Sequence, residues 1–433
     1  MNLSIAEIYE IFLQSGKVST DTRHIIPGSI FFALKGERFD GNKFAKEALK
    51  KGSVLAVVDD ASLSGTDGCC LVTDVLKTLQ NLALHHRRKL NIPVIGITGT
   101  NGKTTTKELV AAVLAKKYNV WFTQGNFNNH IGVPLTLLST PPGTQIAVVE
   151  MGANHVGEIA GLCAIARPDH GLITNVGKAH LEGFGSFEGV KKGKGELYSF
   201  LKEYGGEIFI NVDNPHLMEM IGEYPWIGYG TGEDAVVKAS DVSADPLLHF
   251  SLTTSQVENK PVQTCLTGLY NLDNVLAAAS VAHYFGVEEE LVVQAIENYV
   301  PQNNRSQYFN SGKNQVLLDA YNANPSSMRV ALENFKAILH SRKILVLGSM
   351  KEMGADSRSE HLQLLQLVES LEFDACYLTG EEFKEIVPDD KRFCWFENTA
   401  ALKAHLESQK VRDAFFLIKG SRANRLEQIA DVL

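Results

Sequence analysis

The sequence of 433 residues has no long apolar run, no excess of positive charge and few cysteines. Its longest apolar segments, such as 54–58 and 415–418, are far too short to cross a bilayer. The formal net charge is −9 at pH 7, whereas nucleic-acid-binding proteins are more often basic. The first residues contain no basic region followed by an apolar stretch, which argues against a signal peptide. We therefore expect a cytoplasmic protein that binds neither membranes nor nucleic acid.

The six cysteines lie at positions 69, 70, 163, 265, 376 and 394, without the spacing of a metal site, so we expect reduced thiols. Hydrophobic residues make up 44% and charged residues 21% of the chain, as in ordinary soluble globular proteins. At ~100–200 residues per domain, the length allows two to four domains.

The segment 95–106, IGITGTNGKTTT, carries the most specific motif. Apolar residues before Gly99 predict a buried strand, and a tight turn runs from Gly99 to Gly102. Lys103 and Thr104 follow at the N-terminus of a helix, whose composition is recognisable over 105–115. This arrangement favours phosphate, because backbone N–H groups and the helix dipole point towards the anion. The lysine adds positive charge and the threonine hydroxyl can ligate Mg²⁺. The loop, G-x-x-G-K-T, is shorter than the strict P-loop, and the alternative is a glycine turn without a ligand.

The chain divides into three units by the alternation of strand-like and helix-like segments. Residues 1–82 form a small α/β unit, and residues 83–302 and 303–433 each predict a parallel sheet covered by helices on both faces. Within the second unit, 226–268 alternates as in a small antiparallel sheet. A last helix is expected to end the chain.

Two side chains follow neighbouring strands of the second unit. Glu150 ends the apolar strand 146–150, and ligands of open α/β sheets bind at such strand ends. Glu150 is therefore either a Mg²⁺ ligand or an exposed acid. His180, in a glycine-rich loop after the next strand, is either a second metal ligand through a neutral ring nitrogen or a structural histidine.

Further polar residues allow two interpretations each. Lys194, in the run 191–196 (KKGKGE), belongs either to a solvated basic patch or to an active site near phosphates. Asn271 and Asn274 share one helix face and can read the edge of a base, although Asn271 can instead cap the helix.

The third unit opens with Arg305 and with Asp319 at a strand end, where a carboxylate can accept hydrogen bonds from ribose hydroxyls. The segment 419–422 (KGSR) ends the last strand and has the character of an anion or carboxylate site.

Taken together, these motifs resemble the Mur ligase family over nearly the whole chain. The most specific segments are TGTNGKTTTK (98–107), NFNNHIGVP (126–134), VVEMGANHVGEI (148–159), TNVGKAHLEGFGS (174–186), KGE (194–196), YNLDNVLAA (270–278), DAYNANP (319–325) and LIKGSRANRLE (417–427). The resemblance implies a small N-terminal UDP-sugar-binding domain (1–82), a central P-loop-type ATPase domain (83–302) and a C-terminal Rossmann-like domain (303–433) that closes on ATP. We expect a monomer.

The resemblance implies an ATP-dependent amide ligase of peptidoglycan synthesis. The NFNNHIGVP and YNANP runs separate the type that adds D-alanyl-D-alanine to UDP-N-acetylmuramoyl-tripeptide, through an acyl phosphate, from relatives that add alanine, glutamate or the third residue. Two alternatives remain at this point: a folylpolyglutamate synthetase-like ligase and a non-catalytic nucleotide-binding regulator.

The resemblance also implies site residues in three groups. ATP would be bound by Gly99, Thr100, Asn101, Gly102, Lys103, Thr104, Thr105, Asn271, Asn274, Arg305 and Asp319. Mg²⁺ would be held by Thr104, Glu150, His180 and Lys194, the last as an N-carboxylated lysine, and Lys103, Glu150, His180 and Lys194 would be catalytic. The substrates would be bound by Thr22, Arg23, Asp40, Asn126, Asn128, Asn129, Asn322, Asn324, Ser421 and Arg422.

Three positions depart from the family pattern. Thr22 replaces a serine in Asp-Ser-Arg, Ser349 replaces the aspartate of Leu-Gly-Asp-Met, and Asn304 replaces the glycine of Gly-Arg. Only the change at Ser349 removes a charge.

Overall fold

The structure, a computed structural model, describes residues 2–37, 39–302 and 304–433, with the side chain of Leu181 excepted. Three parallel or mostly parallel sheets, each covered by helices, give the α/β architecture expected from the sequence. No helix in the described part of the chain is long and apolar enough to span a membrane. The predicted start of the third domain falls on Asn303, which lies outside the described residues.

The N-terminal unit is built on a parallel sheet of order β1-β2-β5-β6. Its elements are α1 (Ile5–Ser15), β1 (Val18–Ser19), β2 (Ile30–Phe32), β3 (Lys35–Gly36), β4 (Phe39–Asp40), α2 (Ala45–Lys50), β5 (Leu55–Val58) and β6 (Cys69–Leu71). Ser4 is the N-cap residue of helix α1 and forms a capping box with Glu7.

The central unit contains the largest sheet of the described residues, of order β15-β14-β13-β12-β11-β10-β7-β9-β8. Its elements are α3 (Val75–Lys89), β7 (Val94–Thr98), α4 (Lys103–Leu114), β8 (Val120–Phe122), α5 (Gly132–Leu138), β9 (Ile146–Glu150), α6 (Glu158–Ala166), β10 (His170–Ile173), α7 (Leu181–Phe184), α8 (Phe187–Tyr204), β11 (Glu207–Asn211), α9 (Pro215–Ile221), β12 (Ile227–Gly230), β13 (Val237–Ala244), β14 (Leu247–Thr253), β15 (Lys260–Thr267), α10 (Asn271–Tyr284) and α11 (Glu289–Glu297).

Strand β7 is an interior strand of this sheet, third from one edge, and pairs in parallel with β9 and β10. Its residues 94–98 are all buried, which explains the continuous apolar run. The loops that follow β7, β9 and β10 therefore lie side by side at one edge of the sheet.

The C-terminal unit has the strand order β16-β17-β21-β18-β19-β20, in which only the pairing of β16 with β17 is antiparallel among the described strands. Its elements are β16 (Gln307–Asn310), β17 (Gln315–Asp319), α12 (Pro325–Ala337), β18 (Lys343–Gly348), α13 (Ser357–Leu371), β19 (Ala375–Thr379), α14 (Glu381–Lys384), β20 (Phe393–Phe396), α15 (Thr399–Gln409) and β21 (Phe415–Lys419).

Helix α3 joins the first two units. Tyr9 of α1 contacts its His86, whereas the Arg87 guanidinium donates to the carbonyl of Ala166 at 2.8 Å and to Asp169. The predicted domain boundary at 82–83 lies inside this helix, and it stays a prediction.

Two secondary-structure predictions need correction. Within the segment 226–268, β13–β15 pair antiparallel as predicted, but they extend the large sheet and do not form a separate one, and β12 pairs in parallel with β11 and β13. The chain ends not in an α-helix but in 3₁₀ segments at Arg422–Asn424 and Leu426–Val432, separated by Arg425 at φ +52°. A left-handed residue cannot continue an α-helix.

Candidate functional site

The loop between β7 and α4 has the geometry of a phosphate cradle. Gly102, at φ +79°, precedes the first turn of α4, so the N-terminal N–H groups of the helix face the cleft. The Lys103 ammonium donates to the carbonyls of Gly99 and Thr100 at 2.8 and 3.0 Å. Burial lowers the pKa of Lys103 to about 8, against an opposing effect of the Glu150 carboxylate. A bound phosphate group would place further negative charge beside this ammonium.

The loop is held in place by residues that follow β10. The backbone N–H of Asn101 donates to the Asn175 side chain at 3.0 Å, and the Thr174 hydroxyl donates to the Asn101 carbonyl at 2.6 Å. The N–H of Gly177 donates to the Thr100 hydroxyl at 3.0 Å. These bonds fix the cradle before any ligand enters it.

Asn271 and Asn274 support the loop from behind. Asn274 accepts from the Thr106 hydroxyl at 3.0 Å and donates to Asn271 at 2.8 Å, and Asn271 donates to the Thr267 carbonyl at 2.8 Å. Both asparagines line the cleft, but much of their hydrogen-bonding capacity is used inside the protein. Their reading of adenine stays a prediction.

Gly102 allows a direct test of the loop. A Cβ at this residue would lie 2.4 Å from Oδ1 of Asn274, and its positive φ is strained for alanine. We expect Gly102→Ala to weaken ADP binding at least ~10-fold, measured calorimetrically, since a left-handed alanine costs about 1–2 kcal/mol even without a clash. Gly143→Ala, with φ +83° and no atom within 4 Å, is the matched control. Equal ADP affinity in both variants would contradict a binding role for this loop.

Glu150 and Thr104 meet at the edge of the cradle. The Thr104 hydroxyl donates to one oxygen of Glu150 at 3.0 Å, and the Asn128 amide donates to the other at 2.7 Å. Glu150 is 1% exposed but lines the cleft, so its carboxylate faces the site rather than bulk solvent. Among the described residues, no three His, Cys, Asp or Glu side chains converge as a complete metal cage.

His180 contacts a residue of the C-terminal unit. Its Nδ1 lies 2.5 Å from Oε2 of Glu352, a partner that the sequence analysis did not single out. Burial lowers the pKa of His180, as do the charges of Lys103 and Lys194, while Glu352 opposes this shift. The imidazole is thus favoured in the neutral form that a metal ligand requires.

Lys194 lies inside α8, behind the cleft wall. The residue is 2% exposed, and its ammonium donates to the Ala153 carbonyl at 3.0 Å. Burial, followed by the charge of Lys103, lowers the pKa of Lys194 to about 7. The interpretation as a solvated basic patch is therefore wrong for Lys194, although neighbouring Lys192 is exposed.

The C-terminal unit contributes a group of aromatic and charged side chains. The Arg305 guanidinium lies over the Tyr321 ring, 3.6 Å from its centroid, and Arg422 lies 5.5 Å from the same centroid. Asp319 forms an ion pair with Lys419. The Asn324 amide donates to the Asn101 side chain at 2.8 Å, which places this unit directly on the phosphate loop.

A cleft of about 1100 Å³ joins these groups. Of the predicted site residues it is lined by Thr100, Asn101, Gly102, Lys103, Thr104, Thr105, Asn126, Asn128, Asn129, Glu150, His180, Asn271, Asn274, Arg305, Asp319 and Asn322. Five further predicted residues lie next to lining residues but do not line the cleft themselves: Gly99, Lys194, Asn324, Ser421 and Arg422. Thr22, Arg23 and Asp40 belong to the N-terminal unit, outside this lining.

The predicted N-terminal residues are held by local bonds. Arg23 is paired with Asp21 at 2.7 Å, and Asp40 accepts from both the backbone and the side-chain amide of Asn42. These bonds stiffen exposed turns, and a role in uridine nucleotide binding stays a prediction.

Comparison with known proteins identifies the family. The models described as Mur ligase family, catalytic domain, Mur ligase middle domain, and Mur ligase, glutamate ligase domain match residues 16–100, 97–282 and 304–422. A UDP-N-acetylmuramoyl-tripeptide–D-alanyl-D-alanine ligase of Bacillus subtilis is 36% identical and covers 95% of this chain and 92% of its own. The chain belongs to the Mur ligase family. The ligase of the same name from Escherichia coli is 35% identical over 96% of this chain and 93% of its own.

Solved Mur ligases share the three-unit architecture. A crystal structure of MurF from Acinetobacter baumannii has a TM-score of 0.87 at 30% identity and covers 96% of this chain and 93% of its own. MurF ligase from Thermotoga maritima in complex with ADP has a TM-score of 0.85 at 27% identity, with 97% of both chains covered. A folylpolyglutamate synthase from Mycobacterium tuberculosis, at 15% identity and a TM-score of 0.62, shares the fold alone.

Proposed function

We propose that this Mur ligase joins D-alanyl-D-alanine to UDP-N-acetylmuramoyl-tripeptide, with conversion of ATP to ADP and phosphate, in the cytoplasm. The proposal is carried by one observation: a single cleft is lined by the phosphate loop, by the NFNNHIGVP segment and by the DAYNANP segment. Nucleotide phosphates and two further substrates can thus meet in one place. The names of the similar proteins support the same reaction.

The chemistry proceeds in two steps. A carboxylate oxygen of the tripeptide attacks the γ-phosphorus of ATP, the bond to the β–γ bridging oxygen breaks, and ADP leaves with that oxygen. The neutral amine of D-alanyl-D-alanine then attacks the carbonyl carbon of the acyl phosphate. The amide forms as phosphate leaves with the former carboxylate oxygen, and the amine nitrogen loses a proton.

Charge repulsion is the main obstacle to the first step. Two like unit charges 4 Å apart repel by about 4 kcal/mol at an effective dielectric constant of ~20. The carboxylate and the triphosphate together carry several negative charges. Lys103 and the N–H groups of the loop offset this repulsion, and the fixed loop supplies orientation. Because water would hydrolyse the acyl phosphate, contact of the C-terminal unit with Asn101 also protects the intermediate.

The residues beside the loop fit a magnesium ion. Thr104 and Glu150 present hard oxygen donors 3.0 Å apart, and Mg²⁺ prefers oxygen ligands and is usually bound by one or two protein groups together with waters and substrate phosphates. When bound, Mg²⁺ would neutralise phosphate charge. We propose Thr104, Glu150 and His180 as the residues that hold it.

We further propose that Lys194 is N-carboxylated. Formation of a carbamate from CO₂ requires the neutral amine, and the burial that lowers its pKa makes this form accessible near neutral pH. The product replaces a buried cation, which Lys103 repels, with an anion that Lys103 attracts. The carbamate would then support a second Mg²⁺.

The remaining roles follow the same division of the molecule. We assign the adenine base to Asn271 and Asn274, the ribose to Asp319 and the phosphates to Arg305. The UDP-sugar is assigned to the segments around Thr22, Arg23 and Asp40. The peptide groups are assigned to Asn126, Asn128, Asn129, Asn322, Asn324, Ser421 and Arg422.

Phosphate release tests the proposed function. The purified protein is incubated with ATP, Mg²⁺, UDP-N-acetylmuramoyl-tripeptide and D-alanyl-D-alanine, and each substrate is omitted in turn. We expect release only in the complete mixture, together with a UDP-linked pentapeptide. Glutamate-dependent release with a folate substrate, or nucleotide binding without any release, would instead favour the two alternative functions.

A further inference from the structure

The contact between His180 and Glu352 crosses from the central to the C-terminal unit. His180 precedes α7 at the sheet edge that carries the phosphate loop, and Glu352 lies in the segment after β18. The two side chains are 26% and 61% exposed, and both residues line the cleft. The carboxylate therefore reaches a predicted metal ligand from a different domain.

Backbone geometry favours a specific role for this pair. His180 has φ +50° and Glu352 has φ +62°, a conformation that residues other than glycine rarely adopt. The adjoining segments also touch, since a Cβ at Gly354 would lie 3.4 Å from Cβ of Glu182. Two strained residues at one contact indicate that the fold is built around it.

The chemistry of the contact sets the state of the imidazole. A carboxylate only accepts, so a neutral His180 must carry its proton on Nδ1, which leaves the Nε2 lone pair free. No hydrogen-bond partner of Nε2 occurs among the described residues. Histidines that bind metals almost always donate their other N–H to a carboxylate or carbonyl, which orients the ring and raises its basicity.

We propose that Glu352 is a positioning residue that prepares Nε2 of His180 for the divalent cation, so that closure of the C-terminal unit completes the metal site. This inference rests on the proposed function, in which His180 holds Mg²⁺. Because Glu352 reaches His180 only when the two units are in contact, closure and cation binding strengthen each other by the same factor. With the central and C-terminal units apart, the protein would bind Mg²⁺ with lower affinity.

The test compares Glu352→Ala and Glu352→Gln with Glu360→Gln. Glu360 forms another contact between the two units, to Lys178 at 3.7 Å, without touching His180. The readout is the Mg²⁺ concentration that half-saturates ADP binding. We expect Glu352→Ala to raise it ~10–100-fold, the usual effect of removing such a partner. Glu352→Gln, whose amide oxygen still accepts from Nδ1–H, should raise it less, and Glu360→Gln should leave it unchanged.

A second measurement requires no metal. Nitrogen-15 NMR of His180 in the ligand-free protein should show the Nδ1–H tautomer in the wild type and its loss in Glu352→Ala. An unchanged tautomer, or an unchanged Mg²⁺ requirement in Glu352→Ala, would overturn the proposal. If ADP binding by the wild type does not depend on Mg²⁺, the proposed function fails instead, and the tautomer still decides the role of Glu352.

Discussion

Replacing Lys194 with alanine is expected to reduce turnover ~1000-fold, an effect in the range reported for lost electrostatic stabilisation in active sites. The residue is buried beside the cleft, where its ammonium donates to the Ala153 carbonyl and lies 5.1 Å from the centroid of the Phe184 ring. No carboxylate of the described residues forms an ion pair with it, so the charge of a plain cation would be poorly compensated there. As a carbamate, the side chain would carry the negative charge that the proposed second Mg²⁺ requires. Short carboxylic acids added to Lys194→Ala should therefore restore part of the activity.

The pH dependence of this effect has a defined sign. Because the amine has a pKa of about 7, it is largely protonated below pH 7 and cannot react with CO₂. The wild type should therefore lose activity in CO₂-depleted buffer, and bicarbonate should restore it well above pH 7 and poorly below. Lys192→Ala, a change at an exposed lysine of the same helix, is the control. Full activity of Lys194→Ala without additives would exclude the carbamate.

Replacing Lys103 with methionine is expected to lower kcat/KM ~1000-fold, because in the proposed mechanism Lys103 is the cation that offsets repulsion between carboxylate and triphosphate. The loss should appear mainly in kcat if the lysine acts on charge that develops during transfer. Lys116→Met, which changes an exposed lysine just beyond α4, should have little effect.

Stability gives an independent check on the Lys103→Met variant. Burial lowers the pKa of Lys103 from 10.5 to about 8 in the folded protein, so the unfolded chain binds more protons between these values. Wild-type stability consequently falls as the pH drops from 10.5 to 8, a loss that methionine does not share. At pH 7 the Tm of Lys103→Met should equal or exceed that of the wild type. A lower Tm with equally reduced activity would point to misfolding.

The sequence predicted the phosphate loop well because its signals are local. The boundaries of β7 and the start of α4 follow from a continuous apolar run, a glycine turn and Lys-Thr within a dozen residues. Parallel pairing then brings Glu150 of β9 to the same edge, so its approach to Thr104 could also be expected.

Contacts between distant segments could not be predicted in this way. Asn324 bonds to Asn101 across 223 positions, and no local pattern joins Glu352 to His180. The two glycines beside Lys194 lie inside the continuous helix α8, where Gly193 leaves room for the Phe184 ring, since a Cβ at residue 193 would lie 2.5 Å from that ring. The reason for a glycine at position 193 could be recognised only once the fold was known.

Transfer of an oxygen isotope tests most directly the claim that the cleft activates a peptide carboxylate with ATP. UDP-N-acetylmuramoyl-tripeptide labelled with oxygen-18 in its terminal carboxylate is turned over with unlabelled ATP and D-alanyl-D-alanine. Mass spectrometry of the released phosphate should find one labelled oxygen per molecule, because phosphate leaves with the former carboxylate oxygen. Unlabelled phosphate would show that ATP is cleaved without forming an acyl phosphate and would contradict the account.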